Sequence, residues 1–392
     1  MPAQASARLR SFWWTLHRWI GVGLAILLLP IAVSGALLVW DDYLDTLIHP
    51  GRYAVSGPAV AQPPSAYLAS ATAALAGSAQ PSAVRFPEHD GSPVIVMARG
   101  APVSEGGRPR LINVYLDPPT ARVLDTVDVR NSLFGWLRRF HENLTVPDYS
   151  GRAIVGWVGV GMLILSLTGI WLWWPRSGAF LPGLRWRRAA QTTTNLHHLL
   201  GFWISIPLAV VSATGIYLGF PQNARLLMSS IAPMTPQGQR PGFAPLARDT
   251  RLTPDSALAA ARAVQADAQP AALFLPAGGG RGGARAQAGA EEGPLWRVQF
   301  RQPGRDELVT VTVNDRTTAA TRLPDPLSGD RAARWIRTIH EGSRGGPIWQ
   351  VVVFLTGVFP AIFVVTGIVM WLRGRRGRRA LAIAEAKLQA AE

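Results

Sequence analysis

The residues of this chain whose types and spacing could do chemistry are its histidines. Seven are present, and four of them occupy matched places in a duplicated sequence. His17 lies in Leu16-His17-Arg18-Trp19-Ile20-Gly21 and His197 in Leu196-His197-His198-Leu199-Leu200-Gly201, an offset of 180 that also relates Gly35 to Gly215. His141 lies in Trp136-Leu137-Arg138-Arg139-Phe140-His141-Glu142, and His340 in Trp335-Ile336-Arg337-Thr338-Ile339-His340-Glu341. His198 adjoins one of the four, while His49 and His89 have no counterpart and read as ordinary surface residues. A lone interfacial histidine is more often a packing residue than a ligand, but two matched pairs point to ligation.

What surrounds the histidines narrows that chemistry. There is no cysteine, which excludes disulfides, thiolate iron–sulfur ligation, a catalytic thiol and covalent c-type haem attachment. The apolar, Trp-rich surroundings lack the hard oxygen donors that Mg or Ca requires. Zinc would want a third and a fourth ligand, and neither Glu142 nor Glu341 completes a His-Glu-x-x-His motif. Two imidazoles facing one another between helices suit the six-coordinate iron of a non-covalently held haem.

The elements that must position them are membrane spans. The chain is 48% hydrophobic and 16% charged, and its apolar residues are concentrated in four blocks, 20–40, 153–174, 199–220 and 348–372, each free of Asp, Glu, Lys and Arg. Each is long enough to cross roughly 30 Å of hydrocarbon as a helix. The first block exceeds a signal-peptide core and ends in Trp40-Asp41-Asp42 without a small-residue cleavage site, so it reads as a retained anchor. The net charge of +15 is concentrated beside the spans, at Arg8, Arg10 and Arg18, at Arg176, Arg185, Arg187 and Arg188, and at Arg373, Arg375, Arg376, Arg378 and Arg379. By the positive-inside rule this places both termini in the cytoplasm and the large inserts in the periplasm, as expected of a multi-pass protein of a bacterial inner membrane. The arginines then need no nucleic acid partner.

The expected organisation is a cytoplasmic N-terminus with the first span (1–40), a periplasmic insert (41–130), an interfacial helix (131–150), the second span (151–175) and a cytoplasmic loop (176–194). The second half repeats it with the third span (195–220), a second insert (221–329) carrying a Gly-rich loop at 277–291, an interfacial helix (330–346), the fourth span (347–372) and a cytoplasmic tail (373–392). Because each half holds two spans, the repeats are parallel and related by an axis along the membrane normal. The fold class is a four-helix transmembrane bundle from a duplicated two-helix half, with two small α+β periplasmic domains. In each insert an alanine-rich helix (64–76, 254–266) precedes a β-hairpin (114–123, 309–318). In the first interfacial segment Leu133, Trp136, Leu137, Phe140, His141 and Leu144 share one face, which presses the histidine toward the bundle.

Depth decides the pairing. His17 and His141 belong to opposite membrane faces, whereas two axial nitrogens on one iron lie about 4 Å apart. One b-type haem is therefore expected between His17 and His197 or His198, with the duplicated Leu-His register favouring His197, and a second between His141 and His340. Ser34-Gly35, Thr168-Gly169, Thr214-Gly215 and Thr366-Gly367 fall at corresponding places in the four spans, where they serve close helix packing or leave room for a flat macrocycle. Gly156, Gly159 and Gly161 lie inside a span and read as packing residues. No nicotinamide or flavin domain is visible, so the electron donor is external, a cytoplasmic reductase or the quinol pool.

Leu-His-Arg-Trp-Ile-Gly at 16–21, Val-Tyr-Leu-Asp-Pro-Pro-Thr at 114–120, Leu-Arg-Arg-Phe-His-Glu-Asn-Leu at 137–144 and Asn-Leu-His-His-Leu-Leu-Gly-Phe-Trp at 195–203 together resemble the PepSY-associated transmembrane family, which includes iron-regulated inner-membrane ferrisiderophore reductases. The resemblance implies a transmembrane oxidoreductase, a two-haem bundle that carries electrons to a ferric siderophore or other ferric chelate in the periplasm. The second insert departs from the pattern, since Asn314-Asp315-Arg316-Thr317 stands where the first has Asp-Pro. Two other classes compete. A siderophore or iron transporter would need ionisable groups within the spans, and the four blocks have none; a non-catalytic anchor whose PepSY-like domains bind peptidases would leave the histidines incidental and carry no haem.

Overall fold

A computed structural model describes residues 2–102, 109–146, 148–174, 181, 184, 189–236, 247, 249–276, 293–304, 307–343 and 345–390. The Gly-rich loop at 277–291 and most of the loop at 176–194 lie outside the described residues. In chain order the elements are α1 (Pro2–Leu38), α2 (Asp41–Ile48), α3 (Pro64–Leu75), β1 (Ala79–Arg85), β2 (Val94–Gly100), β3 (Arg110–Leu116), β4 (Val123–Asp128), α4 (Leu133–Asn143) and α5 (Asp148–Trp173). There follow α6 (Thr192–Gly219), α7 (Pro221–Ile231), α8 (Pro254–Val264), β5 (Gln269–Phe274), β6 (Leu295–Arg301), β7 (Val309–Asn314), β8 (Ala320–Arg322), α9 (Ser328–Glu341) and α10 (Gly346–Gln389). The chain divides into two compact units, one of 1–41, 136–231 and 331–392 and the other of 42–135 and 232–330.

The first unit holds the helices α1, α5, α6 and α10, all long and apolar enough to cross a membrane. They are apolar around their whole circumference because lipid replaces water outside the bundle, and a helix satisfies its own backbone there. The helices close a ring in which α1 and α6 each pack on both α5 and α10. Duplicated contacts fix that order. An added Cβ at Gly357 of α10 would lie 2.7 Å from the Ala36 side chain of α1, and its counterpart at Gly159 of α5 would lie 3.2 Å from Ile216 of α6. Gln350 donates to the Val39 carbonyl at 3.0 Å, as Arg152 does to that of Leu218 at 3.1 Å. Between the helices lies an apolar core of Leu28, Ile31, Val158, Met162, Ile204 and Leu208.

The second unit is one eight-stranded antiparallel sheet of order β4-β3-β2-β1-β5-β6-β7-β8. Each insert contributes a four-stranded meander, and the two expected as separate small domains are joined where β1 pairs with β5, centred on Val84 opposite Leu273, both fully buried. The physical reason is edge protection. Strand β1 would otherwise expose unpaired backbone groups on a small domain, and its own duplicate supplies the complementary edge. Both strands carry the same irregularity, between Pro81 and Ala83 and between Pro270 and Ala272, as a residue without an N–H requires. Residues of α3 and α8 pack into a single core with both meanders.

The hairpin turns are also alike despite their different sequences. Ala121 and Thr318 both take left-handed φ, 56° and 61°, and donate to the carbonyls of Asp117 and Asn314 at 2.9 Å. What changes is the residue that anchors the approach to the helix. In the first meander the buried Asp117 accepts from Ser56 N at 2.6 Å and Ser56 Oγ at 2.7 Å and from the Thr120 hydroxyl. In the second it is Asp315, one place further along the turn, that accepts from Arg251 N at 2.8 Å, Leu252 N at 3.1 Å and Trp296 Nε1 at 2.9 Å.

Burial alone would raise both carboxyls, but these hydrogen bonds outweigh it and hold each below the usual carboxylate range. A folded value below the unfolded one means that the stabilisation is complete above about pH 4 and is lost as pH falls through the folded value. Asp315→Ala leaves buried donors unmatched and is expected to cost about 2 kcal/mol, roughly a thirtyfold rise in local opening. Amide hydrogen exchange on the full chain at pH 7 reads this as faster exchange across β6 and β7, with the wild-type strands shifting the same way only in acid.

Candidate functional site

At one end of the bundle His17 of α1 and His197 of α6 make the same contact with neighbouring helices. His17 Nδ1 lies 2.8 Å from Thr168 Oγ1 of α5, and His197 Nδ1 lies 2.9 Å from Thr366 Oγ1 of α10. Each threonine hydroxyl gives its hydrogen to its own helix, Thr168 to the Ile164 carbonyl at 2.7 Å and Thr366 to that of Ile362 at 2.8 Å. With the hydroxyl hydrogen given there, its oxygen accepts the imidazole proton from Nδ1, the arrangement that leaves the Nε2 lone pair available. His198 lies within electrostatic reach of both rings, but it is His197 that repeats the His17 contact. The Phe363 ring lies 5.0 Å from that of His197.

At the other end α4 and α9 deliver His141 and His340. His141 Nδ1 lies 2.9 Å from the Ile31 carbonyl and 3.2 Å from Ser34 Oγ, both on α1. His340 Nδ1 lies 3.0 Å from the Val211 carbonyl and 3.2 Å from Thr214 Oγ1, both on α6. A carbonyl can only accept, so here too the proton is on Nδ1 and Nε2 is left as a donor of electrons. The two rings face each other with centres 6.3 Å apart and planes at 44°. Burial, and secondarily the nearby His141, pushes His340 down to about 4; burial also pushes His141 below its ordinary value.

Local structure explains how α4 and α9 are aimed. Arg138 pairs with Asp41 at the start of α2 at 2.6 Å, and Trp349 Nε1 donates to the Ile339 carbonyl at 3.0 Å. The chain reverses into the following span through left-handed residues, Leu144 in the first half and Gly342 in the second, with φ of 57° and 73°.

The small pairs in the four spans turn out to be the seats of the four rings. An added Cβ at Gly35 would lie 2.7 Å from His141 Cε1, and one at Gly215 would lie 2.9 Å from His340 Cε1. At Gly169 and Gly367 the nearest ring atoms, of His17 and His197, are 3.6 and 3.9 Å away, which is ordinary contact. Eighteen residues separate His17 from Gly35 and His197 from Gly215, so the two ends are about 27 Å apart along their helices. The acceptor role of Ser34, Thr168, Thr214 and Thr366 was not foreseen from sequence, although four hydroxyl-glycine pairs for four matched histidines was the available signal. His49 lies apart in the sheet unit, 3.0 Å from Asp45, and His89 is exposed. Among the described residues no group of three or more His, Asp or Glu converges as a metal cage.

Across this whole region, residues 14–374, the chain matches the family model for the PepSY-associated TM region. Comparison with curated proteins gives no match.

The glycine contacts separate the two ends experimentally. Gly35→Ala and Gly215→Ala must displace a ring and are expected to cost about 1–3 kcal/mol each, whereas Gly169→Ala and Gly367→Ala fit with little change. Thermal unfolding of the four variants in detergent should show lowered midpoints for the first two alone.

Proposed function

The chain belongs to the PepSY-associated TM family, and from that premise we propose that it is a di-haem b-type electron-transfer protein of the bacterial inner membrane. Its acceptor in this reading is the ferric ion of a siderophore or other chelate in the periplasm. The observation that carries the proposal is the pairing of His141 with His340 at 6.3 Å between ring centres. Two imidazoles that were to hold one iron between them would have to lie about this close, so His141 and His340 are the residues that would hold it. The donor set supports the group as well, since all four Nδ1 atoms are tied to acceptors and every Nε2 lone pair remains for a metal. At Gly367 an added methyl would meet only the edge of His197 within 4 Å, which leaves space beside that ring.

His141 and His340 would hold one haem and His17 with His197 the other. When bound, haem would supply one-electron chemistry at each end of the bundle. The chain's own part is to hold each imidazole in one tautomer and orientation, and to keep water from the interior with Leu28, Ile31, Met162, Ile204 and Leu208. The arginines beside the spans support an orientation with both termini in the cytoplasm and the sheet unit in the periplasm. Electrons would come from a cytoplasmic reductase or the quinol pool. Fe(II) is held less tightly than Fe(III) by hard oxygen donors, so one-electron reduction of the substrate would release iron while leaving the chelator intact.

Purified protein in mild detergent is expected to bind two haems per chain, with low-spin reduced bands in the visible spectrum. His17→Ala and His141→Ala should each lose one haem and spare the other. A folded wild-type chain devoid of haem after expression with haem supplied would remove the redox reading and leave the membrane-anchor reading in its place.

A further inference from the structure

The two histidine pairs differ in what stands behind the ring. At the His17 and His197 end the Nδ1 proton is taken by a side-chain hydroxyl, Thr168 or Thr366, on a neighbouring helix. At the other end it goes to a main-chain carbonyl, Ile31 or Val211, at 2.9 or 3.0 Å, with the Ser34 or Thr214 hydroxyl further away at 3.2 Å. We propose that Thr168 and Thr366 are positioning residues that set the donor strength of His17 and His197, whereas the donor strength of His141 and His340 is set by the main chain. This rests on the reading of the four histidines as haem ligands and goes beyond it by assigning the tuning of each site.

The argument is chemical. An imidazole whose N–H is held by an acceptor becomes a more basic ligand through its other nitrogen, and a more basic ligand favours Fe(III) over Fe(II). Removing the acceptor therefore raises the potential of that iron. The interchange is one electron on one iron, with no bond made or broken by the protein. Thr168 and Thr366 offer their oxygen because their hydrogens are already given to Ile164 and Ile362, so valine in their place deletes an acceptor and nearly preserves volume. Ser34 and Thr214 can be deleted in the same way, yet the carbonyls of Ile31 and Val211 stay. No side-chain change removes those.

The test is a redox titration of the purified full chain, followed in the visible spectrum with dithionite as reductant, alongside haem counted per chain. Thr168→Val with Thr366→Val should raise one of the two midpoint potentials and leave the other in place with two haems retained. Thr168→Ser with Thr366→Ser should restore the wild-type value, because serine keeps the acceptor. Ser34→Ala with Thr214→Val should move the other potential by clearly less. If the valine pair loses a haem, cysteine at both positions supplies a weaker acceptor of similar size, and an intermediate upward shift is expected. Unchanged potentials in haem-replete valine or cysteine variants, or equal shifts at both ends, would overturn the assignment. A wild-type chain without haem would instead defeat the functional reading on which it rests.

Discussion

Between packed helices no water is at hand to take the N–H of a buried imidazole, and an unmatched donor there costs several kcal/mol. Each of the four matched histidines meets that constraint by reaching another helix, and the helix pairings of the bundle follow. His17 ties α1 to α5 and His197 ties α6 to α10, while His141 fastens α4 to α1 and His340 fastens α9 to α6. Glycines beside the acceptors let the rings approach, most tightly at Gly35 and Gly215. Satisfying the proton on one nitrogen also leaves the other nitrogen of every ring as a lone-pair donor. The requirement that holds the bundle together thus also fixes which nitrogen of each ring carries the proton.

In the sheet unit the duplication is resolved by a different force. Backbone groups on the edge of β1 find their partners on β5, and apolar residues from both meanders close over the junction. The buried carboxylates of Asp117 and Asp315 then fix the segments that lead into α3 and α8. Each is buried with its hydrogen-bond donors supplied by the protein, which is the condition under which a charge can be taken out of water at tolerable cost.

The spans, the duplication, the hairpins and the cross-half pairing of His141 with His340 were legible in the sequence because each is a local pattern or a consequence of depth. The fused sheet was not. Alternation in β1 announces a strand but carries no mark of which edge it will meet, and two inserts separated by two spans gave no reason to join them. The anchoring role of Asp315 was hidden for a related cause. The turn at Asn314 keeps the backbone of the first hairpin, but the carboxylate has moved by one residue, so comparison of Asp-Pro with Asn-Asp marked a departure from the pattern without showing that the anchor is relocated. The hydroxyl acceptors required knowing which helix lies beside which, since Thr168 serves a histidine 151 residues away.

Two of the connections between the halves are meetings of counterparts. His141 faces His340, and Val84 faces Leu273 at the centre of the strand junction. A residue that meets its own duplicate lies on or near a two-fold axis, which is the signature of an isologous dimer interface. Within the sheet unit a single meander would present an unsatisfied edge, which a second copy related by a dyad completes. Covalent fusion keeps that arrangement while freeing the copies to diverge. Ser34 now stands opposite Thr214, Ile31 opposite Val211, and Asp117 has its work done by Asp315. The pairings that need both partners remain, and the differences have accumulated in the residues behind them, where a change alters the setting of a site without dissolving it.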